Sequence, residues 1–439
     1  MDPEREPPRG HSARSGAGDA AVVVGASLVV RAAFLWFKGP HAFSSDLGAW
    51  LEVGWRMAEG RNPYLATPYF VWPPVWVQIL YAIQRLARLT GIRPEFLITG
   101  LLVAVECVVI VVLLAMLRRL GCRGGYGIVL VGIALNPVCA ILVCQHGNFD
   151  VLVALLALLA VGALERFQFS EQPADWLLAC FWLGLAIALK SVPVVLAPLL
   201  LAGARRLRAG VLAFGAALTA GPAAYGLGVL ASLHAGDVHA ILRYRSLPGW
   251  FGATGWLRRI GRDAWIGPYS AAAQILLLAL AVALGILAWR GRLGDARRLF
   301  AAAALSLAAV PAIGPGYGPQ YFYWFWPFLL LAWALGAPPL RRWIAVFGAV
   351  AAATYLFEYA FAGFLGGFLG MRFPATRDLF FGGDPAGAGG LFTLVRTPLW
   401  LAYLAVVWSL AREVLVATPA PAAAARSWDL VDARAQLPN

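Results

Sequence analysis

The chain has 439 residues, 61% of them apolar and only 13% charged, with a mean hydropathy of +0.73. Soluble domains run near roughly 45–50% apolar and 25% charged, so this chain cannot cover itself with polar surface in water, and its main solvent is lipid. The formal net charge of +13 comes almost wholly from Arg in a chain rich in Ala and Gly, a bias that base composition also produces, and no nucleic-acid partner is expected.

Residues 1–19 are polar, rich in Pro and Gly and mixed in charge. The apolar run that follows lacks a small-residue cleavage site, so the expectation is a disordered cytoplasmic tail before an uncleaved first span. A bilayer span needs about 20 mostly apolar residues. Hydropathy predicts about twelve spans: 20–37, 96–117, 126–144, 149–164, 175–189, 191–204, 209–231, 271–290, 299–313, 321–337, 343–365 and 394–416. The fold class expected is therefore an all-α polytopic membrane protein, with one integral membrane domain over 20–416. A Pro/Ala-rich disordered cytoplasmic tail is expected over 417–439. The five cysteines lie in or beside apolar runs without CxxC pairing, which predicts buried thiols and no metal site.

Short basic loops orient the spans. Arg118, Arg119 and Arg123 form one cluster, Arg205, Arg206 and Arg208 a second, Arg290, Arg292, Arg297 and Arg298 a third, and Arg341 with Arg342 a fourth. With the N-terminus inside, all four face the cytoplasm. The outer face then receives 38–95, the junction 144–150 and the loops 232–270, 314–320 and 366–393. His41, His146, His234 and His239 fall there, as does Lys190, which with Lys38 makes up the whole lysine content.

In the first outer segment, Ser44 or Ser45 is a good N-cap, with Asp46 in the first turn of a helix that Gly60 and Asn62-Pro63 end. Leu47, Trp50, Leu51, Gly54, Trp55 and Ala58 recur at helical spacing, which predicts an amphipathic helix at the membrane surface. Asp46 either complements the helix dipole or serves as a general base at the membrane edge. Residues 71–94 start at a Pro-Pro and have a short apolar run, which predicts a second interfacial or re-entrant helix. Were they a span, all four basic clusters would face outward.

A first span, an S-S-D loop, G-R-N-P-Y (residues 60–64) and W-P-P (72–74) together resemble the lipid-linked-sugar glycosyltransferases of the GT-C fold. The pattern is most similar to family 87, the polyprenyl-phosphate-mannose-dependent mannosyltransferases. Gln145-His146-Gly147-Asn148-Phe149-Asp150, Lys190-Ser191-Val192-Pro193 and Gly316-Tyr317-Gly318-Pro319-Gln320-Tyr321 fit the resemblance in order. It implies a GT-C-like bundle of about twelve helices and Asp46 as catalytic base. It further implies a polyprenyl-phosphate sugar as donor and a glycolipid or lipid-linked glycan as acceptor, with membrane lipids around the site. Many GT-C enzymes pair two acidic residues in this loop. Here Ser45 and Leu47 flank Asp46, so no metal-binding pair and no cofactor are expected.

Transfer from a phosphate leaving group needs one carboxylate to accept the acceptor's proton and cations to meet the leaving charge; glycoside hydrolysis normally needs two carboxyls. For the donor phosphate the cation candidates are Lys190, His146 and, in the Arg-rich loop 234–268, Arg243 and Arg245. Lys190 also reads as a snorkelling helix-end residue, and the loop arginines as contacts to anionic headgroups. Gln145, Asn148, Tyr317 and Gln320 are candidates for sugar or acceptor contacts; Asn148 also reads as a helix cap. Arg31, Glu106 and Glu358 are costly charges within spans, and Arg31 is placed to orient Asp46 or to pair with Glu358. Of the alternatives, a lipid transporter or flippase normally shows two similar halves, and none is visible; an arabinosyl- or glucosyltransferase of the same fold fits the same motifs. The location expected is a bacterial plasma membrane, with both termini inside and the site on the outer face.

Overall fold

The structure, a computed structural model, describes residues 14–38, 45–65, 72–122, 124–206, 223, 226, 251–316, 318–361 and 391–416. Every regular element among these residues is a helix. Residues 1–13, the expected tail 417–439, all of the expected span 209–231 except 223 and 226, and Tyr317, Arg243 and Arg245 lie outside the described residues; residues 14–19, expected in the disordered tail, are instead the start of the first helix.

In chain order the helices are α1 (Arg14–Lys38), α2 (Ser45–Ala58), α3 (Pro74–Thr90), α4 (Pro94–Arg119), α5 (Gly125–Val129), α6 (Pro137–Ala140), α7 (Asp150–Ser170) and α8 (Pro173–Leu189). They continue with α9 (Leu201–Arg206), α10 (Gly252–Arg259), α11 (Ile266–Trp289), α12 (Ala296–Ile313), α13 (Phe322–Leu335), α14 (Pro338–Tyr355) and α15 (Leu391–Val416). Among the described residues, six helical segments are long and apolar enough to cross a membrane, and one bent pair raises this to seven. Three shorter apolar helices, Pro173–Leu189, Val192–Gly203 and Phe322–Leu335, fall where spans were expected. The protein is thus an all-α, multi-pass membrane protein.

The core forms around α7, α12 and α13, each apolar on nearly every face and buried on nearly every face, as such a helix must be. The alanine run of α12, Ala301 to Ala304, keeps its surface shallow so that α13 and α15 pack closely against it. Helix α3 is not among the helices long and apolar enough to cross. It buries one stripe, Trp76, Val77, Leu80, Ile83 and Ala87, and packs on α2. Gly54 permits this approach, since a Cβ there would lie 3.1 Å from the Leu80 carbonyl oxygen.

The expected span 126–144 is broken. Gly125–Ala134 and Pro137–His146 meet at a bend of 46°, and each half contains a π turn, Leu130–Ala134 and Ile141–His146. Pro137 cannot donate to the preceding turn, so carbonyls at the break need other donors. Asn136 Nδ2 and Trp326 Nε1 donate to Gly132 O at 3.0 and 2.6 Å. Arg31 donates from Nη2 to Ile133 O at 2.9 Å and from Nη1 to Ala134 O. The same guanidinium pairs with Glu106 at 2.6 and 2.8 Å, and Glu106 also accepts from Tyr323 Oη and, at 3.4 Å, from Ser27 Oγ.

Arg31 therefore neither orients Asp46 nor meets Glu358. It is a buried splint across a broken helix. Glu358 instead takes two bonds from Arg396 of α15, at 2.5 and 3.0 Å. Hydropathy marks such charges as costly, but the choice of partner depends on helix packing that no sequence spacing records.

Candidate active site

Helix α2 is fixed by its apolar face: Leu47, Trp50 and Val53 are fully buried. Trp50 meets Trp76 of α3 edge-on at 5.2 Å and Phe149 at 5.6 Å, while Trp76 stacks on Phe149 at 4.4 Å. This aromatic clasp ties the segment that follows α1 to the start of α7 and carries Asp46, in the first turn of α2, over the segment 145–150.

That segment is built to receive it. The π turn Ile141–His146 ends at Gly147, whose φ of 65° is the left-handed conformation that glycine adopts without strain. Beyond the turn, Asn148 Oδ1 accepts from the Asp150 backbone N–H at 3.1 Å, fixing the amide so that Nδ2 donates to Asp46 Oδ2 at 3.3 Å. His146 Nε2 approaches the same oxygen at 3.1 Å, and the Tyr359 hydroxyl lies 3.1 Å from His146 Nδ1.

Asp46 Oδ1 has no hydrogen-bond partner among the described residues, and its side chain is 28% exposed. Burial raises the Asp46 pKa, but the close approach and charge of His146, then the Lys190 charge and the Asn148 hydrogen bond, outweigh it and hold the carboxyl below its ordinary value. Asp46 is thus ionised near neutrality, with Oδ2 contacted and Oδ1 without a partner among the described residues.

Lys190 ends α8 in extended backbone. Its Nζ donates to Asp150 Oδ1 at 2.7 Å, with the side chains 14% and 1% exposed. The ammonium also lies over the rings of Trp324, Phe149 and Tyr321 at 5.0, 5.3 and 5.5 Å, so it is caged by aromatic faces as well as paired. Tyr321 stacks on Trp324 at 3.9 Å. The turn between α12 and α13 is anchored by Trp400 Nε1 to Ala312 O at 2.9 Å, Tyr269 Oη to Ile313 O at 2.5 Å and Thr254 Oγ1 to Pro315 O at 3.0 Å. Gln320 Oε1, next to Tyr321, is buried without a partner among the described residues.

Of the residues singled out in the sequence, Asp46, His146 and Asn148 converge on one oxygen, with Lys190 close enough to act on the same carboxyl. His146, read there as a phosphate contact, lies against Asp46. Gln145 precedes it, half-buried on the same π turn. Sequence reasoning missed Tyr359, which follows Glu358 but has no pattern of its own to mark it, and missed Asp150 as the partner of Lys190. Among the described residues no three His, Cys, Asp or Glu side chains are grouped so as to hold a metal ion.

Comparison with known proteins places this geometry in context. A family model described as Glycosyltransferase family 87 matches residues 70–313, more than half of the chain. Among solved structures, the chain is similar to ArnT from Cupriavidus metallidurans in the apo state, at 14% identity and a TM-score of 0.46, over 91% of this chain and 78% of that one. No curated protein matches it.

Proposed function

This chain belongs to glycosyltransferase family 87, and from that premise we propose that it moves a hexose, mannose in the first instance, from a polyprenyl-phosphate sugar to a hydroxyl of a glycolipid or lipid-linked glycan. The observation that carries this reading is Asp46: an ionised carboxylate at the start of a helix outside the spans, contacted at one oxygen and, among the described residues, unpartnered at the other. In the reaction the acceptor oxygen attacks the anomeric carbon and its proton passes to Asp46 Oδ1. The bond from that carbon to the phosphate oxygen breaks, and polyprenyl phosphate leaves as an anion. Displacement from the opposite face inverts the anomeric centre.

The leaving phosphate needs no proton but does need positive charge nearby. Lys190 supplies the cation beside Asp46, and Arg243 and Arg245 are the further candidates. Gln145, Asn148, Tyr317 and Gln320 are assigned to sugar or acceptor contacts. The buried, unpartnered Gln320 Oε1 is an acceptor that a substrate hydroxyl would satisfy. The protein is placed in a bacterial plasma membrane with both termini inside and the site on the outer face, because the short Arg-rich loops then all face the cytoplasm.

The test is purified full-length protein with polyprenyl-phosphate mannose and a membrane lipid extract. A new, base-stable mannosylated lipid is expected, formed at equal rate after EDTA treatment. Net movement of intact lipid across a vesicle without a new glycosidic bond would replace the reading with a transporter. Transfer from another polyprenyl sugar alone would change the sugar but keep the chemistry.

His146 gives a second, independent measurement. A carboxyl with a lowered pKa keeps its basic form as pH falls, until pH reaches that lowered value. His146→Ala removes the main stabilising contact, so the Asp46 pKa rises. The acid limb of the kcat/KM profile is expected to move to higher pH, with about tenfold slower transfer in the mildly acidic range. A profile unchanged in shape would separate His146 from the base.

A further inference from the structure

The first turn of α13 presents two faces to two different structures. Residues three apart share a helix face, so Tyr321, just before the helix, and Trp324 stand together. Their rings stack on each other and flank the Lys190 ammonium. Tyr323 and Trp326 form another such pair and turn toward the bundle interior, where both are buried. Tyr323 Oη donates to Glu106 of α4, and Trp326 Nε1 donates to Gly132 O at the broken span.

The backbone holds this turn weakly. Pro327 lies inside α13 and has no N–H, so the Tyr323 carbonyl lacks the usual bond from four residues on. Ahead of the turn the chain runs through glycines and prolines into the short 3₁₀ turn Pro319–Tyr321. Side chains therefore set the rotation of the turn about the helix axis. Glu106 is a firm anchor for it, since the carboxylate takes two bonds from Arg31, at 2.6 and 2.8 Å. That guanidinium is itself fixed to Ile133 O at 2.9 Å. A rotation that broke the Tyr323 bond would carry Trp324 and Tyr321 away from Lys190 Nζ, which lies over their rings at 5.0 and 5.5 Å.

We propose that Tyr323 is a positioning residue for sugar transfer: its bond to Glu106 fixes the rotation of the first turn of α13 and so keeps Tyr321 and Trp324 around the Lys190 ammonium. This role rests on the reading of Lys190 as the cation that faces the leaving phosphate. It gives the buried Arg31–Glu106 pair a second duty beyond bridging the broken span, because the pair fixes the carboxylate that Tyr323 binds. An ammonium confined by three rings and Asp150 meets the developing charge without having to reorganise. Loosening it by a fraction of an ångström is expected to cost about tenfold in rate, since a misplacement of about 1 Å can cost on the order of a hundredfold.

The chain's two lysines, Lys38 and Lys190, make the test direct. Full-length protein labelled with 13C-lysine gives two Cε–Hε signals, assigned by the loss of one in Lys38→Arg. In the wild type the Lys190 signal is expected upfield of the free-lysine position, because ring currents act over aromatic faces. In Tyr323→Phe, which removes a single oxygen, the signal is expected to move toward that position. The same variant is expected to lower kcat about tenfold with the acceptor KM unchanged. In the Lys190→Met/Asp150→Asn background, Tyr323→Phe should cause no further loss of transfer. A wild-type Lys190 signal at the free-lysine position overturns the proposal, and that measurement needs no Tyr323 variant to fold. So does an unmoved signal in Tyr323→Phe, full transfer by that variant, or losses that multiply in the triple variant. Full transfer by Lys190→Met/Asp150→Asn would instead remove Lys190 as the phosphate cation, and the transfer role of Tyr323 with it, while the signal still reports on the tie between Tyr323 and the cage.

Discussion

Asp46→Asn is expected to slow sugar transfer about a thousandfold or more while leaving the protein folded. General-base catalysis contributes roughly 10²–10⁴ in rate, and a thousandfold corresponds to about 4 kcal/mol of transition-state stabilisation. Asparagine keeps the shape of the side chain, and its carbonyl oxygen still meets His146 and accepts from Asn148, so the clasp of Trp50, Trp76 and Phe149 is undisturbed. What it lacks is the capacity to take a proton. Initial rates of glycosidic bond formation, set beside the melting temperature in detergent, separate the two consequences. Asp46→Asn transfer within tenfold of wild type would reject Asp46 as base. Restoration of the rate in Asp46→Glu, by contrast, would reinforce the assignment, because the longer acid keeps the chemistry and shifts only the position.

The second large effect is expected at Lys190. Lys190→Met keeps a long, flexible side chain among Phe149, Tyr321 and Trp324 but strands the Asp150 carboxylate, which is 1% exposed. Breaking one half of a buried ion pair costs about 3–5 kcal/mol, far more than the pair contributes relative to a neutral substitute. A sharp fall in melting temperature and yield is expected. Adding Asp150→Asn removes the stranded charge, and the double variant Lys190→Met/Asp150→Asn is expected to recover most of the lost stability. Transfer should stay at least tenfold down, because the cation that acts on Asp46 and faces the leaving phosphate is gone. If the double variant recovers full transfer as well, Lys190 is only the counter-ion of Asp150. The melting curve and the rate thus report different roles of the same ammonium.

Some of this arrangement is legible in the sequence. Apolar runs mark the helices well because hydropathy is a local property, and α1, α4, α11, α12, α14 and α15 follow the expected spans. The Asp46 helix was visible from its cap position, its apolar spacing and the Gly-Asn-Pro that ends it. Gln-His-Gly-Asn-Phe-Asp stood out because polar residues at a span boundary are expensive unless they are used. The break at 134–137 was not legible as a break, since Pro137 in an apolar run is compatible with a continuous span. Its consequence, three buried carbonyls that take hydrogen bonds from Arg31, Asn136 and Trp326, needs three dimensions. The same holds for Tyr359, which lies 213 residues from His146 in the chain. Apart from Glu358 its neighbours in the chain are apolar, and its hydroxyl gains meaning only when a second turn faces it. Arg31 with Glu106, and Glu358 with Arg396, repeat the lesson: sequence reveals that a charge in lipid must be answered, and packing chooses what answers it.

The splint formed by Arg31 also bears on how the protein is made. Inserted alone, α1 would expose a guanidinium to lipid at a cost of about 2.5–3.5 kcal/mol if near the bilayer centre. Its mates do not yet exist at that moment: Glu106 emerges 75 residues later and the carbonyl of Ala134 103 residues later. The first helix therefore gains from waiting beside the insertion machinery, or near the interface with Arg31 reaching water, until α4 and the broken span arrive. Completion of the Arg31–Glu106–Tyr323 knot closes that interval only when α13 is in place, which makes lateral release of the early helices a late event of biogenesis. Assembly of the bundle is thereby ordered by charge as well as by the order of synthesis.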